Sequence, residues 1–145
     1  MRLSAKAEYA AIALLELSRH WATDEPVRIR SIGDAHGVPT RFLVQILLQL
    51  KAAGIVTSTR GAAGGYQLAK PPEEITLEDV LRVVEGPDEL TTAVTAGLAA
   101  RSRAANVLLD AWRHVSTVET DALRGISFAD LAERTRVAAE PMYYI

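Results

Sequence analysis

The chain has 145 residues, 49% hydrophobic and 23% charged, the composition of a globular domain, and no apolar run approaches the roughly 20 residues that span a bilayer. It contains no cysteine, which excludes disulfides, thiolate nucleophiles, zinc–thiolate sites and ordinary cysteine-held iron–sulfur clusters. The net charge of −2 conceals an asymmetry: residues 1–70 carry nine Lys and Arg against five acids, a balance of +4, whereas residues 71–145 carry seven against thirteen, or −6, so a polyanion-binding face is expected in the first half.

The amino terminus, Met1-Arg2-Leu3-Ser4-Ala5-Lys6, runs into an Ala- and Leu-rich stretch interrupted by Glu8 and Glu16, unlike a signal peptide, so a cytoplasmic location is expected. Ser4 is placed to cap a first helix reaching about His20, with Tyr9, Ile12, Ala13, Glu16 and Leu17 at helical spacing. Pro26-Val27-Arg28-Ile29 reads as a short extended piece, and Ser31-Ile32-Gly33-Asp34 has capping-box spacing for a brief second helix. Gly37 suits the left-handed residue that ends it, and Pro39 the first position of a third helix, making a helix–turn–helix junction. In that third helix Leu43, Ile46, Leu47 and Leu50 form one core stripe, leaving Thr40, Arg41, Val44, Gln45 and Leu48 outward until Gly54 stops it.

Ile55-Val56-Thr57-Ser58 and Tyr66-Gln67-Leu68 read as two strands around the glycine-rich tip Thr59 to Gly65, a hairpin. Its glycines either only satisfy a tight turn or build a slim tip that carries Arg60 into a DNA minor groove as a wing. Pro71-Pro72 breaks the chain, and Thr76-Leu77-Glu78-Asp79 caps a helix to about Glu85, stopped by Gly86-Pro87. Across residues 94–115, Val94, Leu98, Arg101, Ala105, Leu108, Trp112 and Val115 alternate in steps of four and three, the period of a coiled-coil seam. Such a stripe either dimerises or packs on its own domain, and Arg101 interrupts it. Ser127-Phe128-Ala129-Asp130-Leu131 begins a last short helix, and Thr135 to Pro141 reads as a polar tether before the apolar ending Met142-Tyr143-Tyr144-Ile145.

The expected fold is mainly α with a small β-hairpin wing. Residues 1–87 would form a winged helix–turn–helix DNA-binding domain, 88–134 a dimerisation helix and short helix, and 135–145 a tail. On this reading Arg2, Lys6 and Arg41 neutralise phosphates, Thr40 and Gln45 hydrogen-bond base edges, Val44 makes apolar contact such as with a thymine methyl, and Arg60 enters the minor groove. His20, His36 and His114 are scattered without metal-ligand spacing and are expected at the surface or at caps. No nucleophile, base and ligand set converges on a cleft, so catalysis is not expected. The alternative to a DNA-binding regulator is a winged-helix module for protein contacts, or a regulator answering a small-molecule effector.

The runs Met1-Arg2-Leu3-Ser4…Glu8-Tyr9-Ala10, Phe42-Leu43…Gln45-Ile46-Leu47, Ala53-Gly54-Ile55-Val56…Ser58…Arg60-Gly61…Gly64-Gly65-Tyr66, Ile75-Thr76-Leu77-Glu78-Asp79-Val80 and Val84-Glu85-Gly86-Pro87 together resemble the Rrf-two (Rrf2) family of bacterial transcription regulators. The resemblance implies a homodimer joined through the long helix, binding palindromic DNA. It extends the expected DNA-binding set to Ser4, Ser58, Gly61, Gly64 and Tyr66, and places a glutamate in many members where Val44 stands here. Members that sense iron or nitric oxide hold a cluster by three cysteines after the Gly-Pro pair. Here residues 88–109 have none, and Asn106 and Leu109 stand where the last cysteine and a histidine are expected, so no cofactor is expected. Glu8 is expected to be a solvated side chain. The cluster-free branch typified by CymR, a repressor of cysteine metabolism, fits better, and the ending Met142-Tyr143-Tyr144-Ile145 resembles its tail, which implies cysteine synthase as a partner. A terminal isoleucine carboxylate joined to an apolar plug suits a pocket built for an amino-acid carboxylate; the alternative is that the tail folds back on its own subunit.

Overall fold

The structure, a computed structural model, describes residues 3–86, 97 and 102–139. Its helices are α1 (Ala5–Arg19), α2 (Ile29–His36), α3 (Thr40–Ala52), α4 (Leu77–Glu85), α5 (Arg103–Arg124) and α6 (Phe128–Ala139), with single 3₁₀ turns at Trp21–Thr23 and Pro72–Glu74. Between α3 and α4 lies an antiparallel hairpin, β1 (Val56–Thr59) and β2 (Gly65–Leu68), in the register Val56–Leu68, Thr57–Gln67, Ser58–Tyr66 and Thr59–Gly65.

Helix α1 is the hub of the body. Ser4 caps it as expected, its hydroxyl oxygen accepting from the Ala7 N–H. Ala7, Ala10 and Ala13 are buried, and their small side chains let α3, α4 and α6 lie close against it. Leu14, Leu17, Ile32, Leu43, Leu47 and Leu50 complete the centre of the core. All four residues of the expected α3 stripe are buried there.

The second helix starts three residues earlier than the capping pattern suggests, with Arg28 and not Ser31 as its N-cap. Arg28, the N-cap, separates Ile29 from Val27, whose N–H and C=O both pair with Tyr66 at 2.8 Å, so the extended piece becomes a third edge of the hairpin and Ser31 falls inside the helix. Gly37 ends α2 in the left-handed region, φ 66°, where a side chain would be strained, and its N–H returns to the Gly33 carbonyl. Pro39 stands one position outside α3, as its N-cap.

The capping box of α4 forms as expected: Thr76 accepts from the Asp79 N–H, and the Asp79 carboxylate accepts from the Thr76 N–H. The long helix differs from its expected span. Ser102 adopts an extended backbone and caps α5 by accepting from the Ala105 N–H, so the helix begins at Arg103 and runs on to Arg124. Helix α6 is also longer than read, continuing through Thr135 to Ala139. Phe128 at its start is fully buried in the same core as α1 to α4, and its N–H bonds the Ile75 carbonyl at 2.8 Å. Among the described residues no helix is long and apolar enough to cross a membrane. A helix–turn–helix followed by a hairpin wing is the winged helix–turn–helix arrangement.

Candidate nucleic-acid interface

Because Leu43, Ile46, Leu47 and Leu50 turn α3 inward, Thr40, Arg41, Val44, Gln45 and Leu48 are all exposed, as the spacing requires. The amino-terminal half of α3 is braced by aromatic contacts that the pattern did not reveal. Phe42 stacks on Tyr9 of α1 with centroids 5.8 Å apart, and the Arg41 guanidinium lies 4.9 Å from the Phe42 ring centroid. Beside this stack Lys6, Tyr9, Phe42 and Gln45 line a hollow of about 300 Å³, which brings Lys6 next to Gln45.

The wing tip spans Arg60 to Gly64. At Gly64 a Cβ would sit 2.2 Å from the Thr59 carbonyl oxygen, so the glycine is demanded by the close backbone approach of the turn. Gly61 lies exposed at the tip, and Tyr66 is half-buried where it pairs with Val27. Ser58 is engaged by α3: its Oγ accepts from Lys51 Nζ at 2.7 Å, tying the wing to the end of the helix. Arg28 emerges next to this wing and, with Arg60, Ser58, Gly61, Gly64 and Tyr66, borders an open groove of about 490 Å³. Sequence reasoning missed Arg28, since only the pairing of Val27 with Tyr66 carries it there.

Among the described residues Lys6, Arg28, Arg41 and Arg60 take part in no ion pair, whereas Arg19, Arg82 and Arg124 are all matched to acids. These four cations without an acid partner lie around α3 and the wing. Ser4 does not join them. Besides capping α1, its hydroxyl donates to the Glu85 carboxylate of α4. Arg2 lies outside the described residues, as do Val94, Leu98, Arg101 and Met142 to Ile145.

His20 and His36 are not scattered in space. Both converge on Glu16, which is 8% exposed on α1: His36 Nε2 lies 2.8 Å from one carboxylate oxygen, His20 Nε2 3.2 Å from the other, and Arg19 3.1 Å away. An ionised carboxylate only accepts, so both imidazoles donate through Nε2. Burial alone would raise the Glu16 carboxyl, but the hydrogen bonds from His36 and His20 and the charge of Arg19 outweigh it and hold it below its usual range. Through His36 this hub ties α2 to α1.

Helix α5 turns two different faces outward and inward. The helix packs on α4, with Leu109 2% exposed and Ala105 half-buried, while Leu108, Trp112 and Val115 are exposed, Trp112 at 58%. Val107 and Ala111 are exposed beside them, and Val118 and Ala122 are exposed beyond the stretch the sequence period covered, toward Arg124.

A family model described as an iron-dependent transcriptional regulator, Rrf2, matches residues 3–134. The helix–turn–helix-type transcriptional regulator Rv1287 of Mycobacterium tuberculosis is 38% identical over 132 residues, covering 91% of this chain and 81% of that protein. The solved structure of IscR from T. potens superposes with a TM-score of 0.76 at 29% identity, covering 99% of this chain and 95% of its own. The structure of CymR, the global cysteine regulator of B. subtilis, gives a TM-score of 0.72 at 26% identity over 92% and 97%. The iron in the family's description finds no fitting donor set here: the chain has no cysteine, Leu109 is a buried hydrocarbon and Asn106 an exposed amide. Among the described residues no group of three His, Asp or Glu has metal-binding geometry, the Glu16 hub included. With more than nine-tenths of its length matched, the chain belongs to the Rrf2 family of helix–turn–helix transcriptional regulators.

Proposed function

We propose that the chain is a homodimeric repressor that binds palindromic DNA without an iron–sulfur cluster, in the manner of the CymR-like branch of its family. The observation that carries this reading is the set of unpaired cations, Lys6 and Arg41 at the start of α1 and α3 and Arg28 and Arg60 at the wing. Lys6, Arg41 and Arg28 would neutralise phosphates, α3 would enter the major groove with Thr40, Val44 and Gln45 against base edges, and Arg60 would enter the minor groove. Ser58, Gly61, Gly64 and Tyr66 would act by shaping the wing, and Ser4 by fixing the first turn of α1. The exposed face of α5 with Leu108, Trp112 and Val115 would join two copies, so that two reading helices meet successive turns of a duplex about 34–36 Å apart.

The cluster-free reading is supported by the absence of cysteine. Control of cysteine metabolism is supported by the likeness to CymR, and the partner in that role would be cysteine synthase, held by Met142, Tyr143, Tyr144 and Ile145. A gel shift of the purified protein on the promoter of its own gene tests DNA binding: a salt-sensitive, saturable shift is expected, and no shift at low salt refutes it. Deleting Tyr144 and Ile145 should abolish retention of cysteine synthase in a pull-down while leaving that shift intact. Failure of the undeleted protein to retain the enzyme removes the partner but not the regulator.

A further inference from the structure

We propose that Val44 and Leu48 form an apolar reading strip that selects thymine by its C5-methyl group, with Leu48 an additional specificity residue; this rests on the DNA-binding reading and deepens it. Thr40, Val44 and Leu48 follow one another at four-residue steps along the solvent face of α3, and the two apolar members are 43% and 52% exposed. The core is filled from the other side by Leu43, Ile46, Leu47 and Leu50, so neither Val44 nor Leu48 is spent on the chain's own interior. Phe42, the other exposed apolar residue of this helix, is occupied by Tyr9 and Arg41. Gln45 and Gln49 flank the strip and can read hydrogen-bonding edges; Val44 and Leu48 cannot.

Of the groups a base pair presents in the major groove, only the thymine methyl is apolar. Covering guanine or cytosine with this strip would strip water from donors and acceptors that two hydrocarbon side chains cannot replace, which penalises G·C pairs at the same positions. Four residues advance about 6 Å along a helix, and bases stack about 3.4 Å apart. The two side chains therefore span about two base steps, a fit for two thymines at that separation in each half-site.

The test uses the full chain to select duplexes from a random-sequence library, and then compares each selected duplex with a copy in which uracil replaces thymine, removing the methyl while keeping the pairing edge. Uracil is expected to weaken binding about fourfold for each contacted methyl. The double variant Val44→Ala, Leu48→Ala should bind both forms alike, and each single variant should lose part of the discrimination. Both sites are exposed helix positions where alanine favours the fold. Equal binding of thymine and uracil duplexes by the native protein, with salt sensitivity retained, overturns the strip and leaves the DNA-binding reading standing. An undiminished uracil penalty in all the variants also overturns it, and failure to select any duplex removes both.

Discussion

Glu16 gathers Arg19, His20 and His36 on one largely buried carboxylate. Its lowered pKa gives the pH dependence a definite sign. The ionised form is stabilised by folding, so the contribution is present above the ordinary carboxylate range and is lost as pH falls through the lower, folded value. Stability from urea unfolding should therefore fall on acidification below that range, and Glu16→Gln should flatten this part of the profile while costing about 1–3 kcal/mol at neutral pH. Parallel pH profiles for the native protein and the variant would count against the hub. In the sequence, Glu16 and His20 stand four apart on one helix, a visible pairing signal, but His36 belongs to the next helix and its arrival depends on how α2 packs on α1.

Among the elements, those with strong local chemistry were legible. The α3 stripe, the Ser4 cap, the Thr76–Asp79 box and the left-handed Gly37 all stand where side-chain pattern places them. The start of α2 was not, because Ser31-Ile32-Gly33-Asp34 imitates a cap while the bridge between Val27 and Tyr66 sets the real boundary. The wing shows why this matters, since the same bridge places Arg28 beside Arg60. If both bind phosphate, Arg60→Ala should weaken operator binding and reduce the slope of log affinity against log salt by about 0.9, and Arg28→Ala should do the same. Isotherms for either variant that match the native protein at every salt concentration would remove that residue from the interface.

At the scale of the whole molecule, α5 presents Leu108, Trp112, Val115 and Val118 to solvent while Leu109 anchors it from behind. An exposed apolar face of this length on a single helix fits a second copy. Replacing Leu108 and Val115 together by Glu should leave the fold, read by circular dichroism, unchanged, yet convert a dimer to monomer at micromolar concentration in sedimentation and lower operator affinity at least tenfold. A variant that stays dimeric would place the contact elsewhere. Local order was decided by sequence alone: cap residues, glycines and the alternation of apolar positions act within one or two turns of the chain, and they determined the helix–turn–helix, the hairpin and the family resemblance. Tertiary packing alone decided which face of α5 is left bare, that Arg28 stands beside Arg60, and that His36 meets Glu16, because each depends on residues brought together from different elements of the chain, and no local periodicity encodes that encounter.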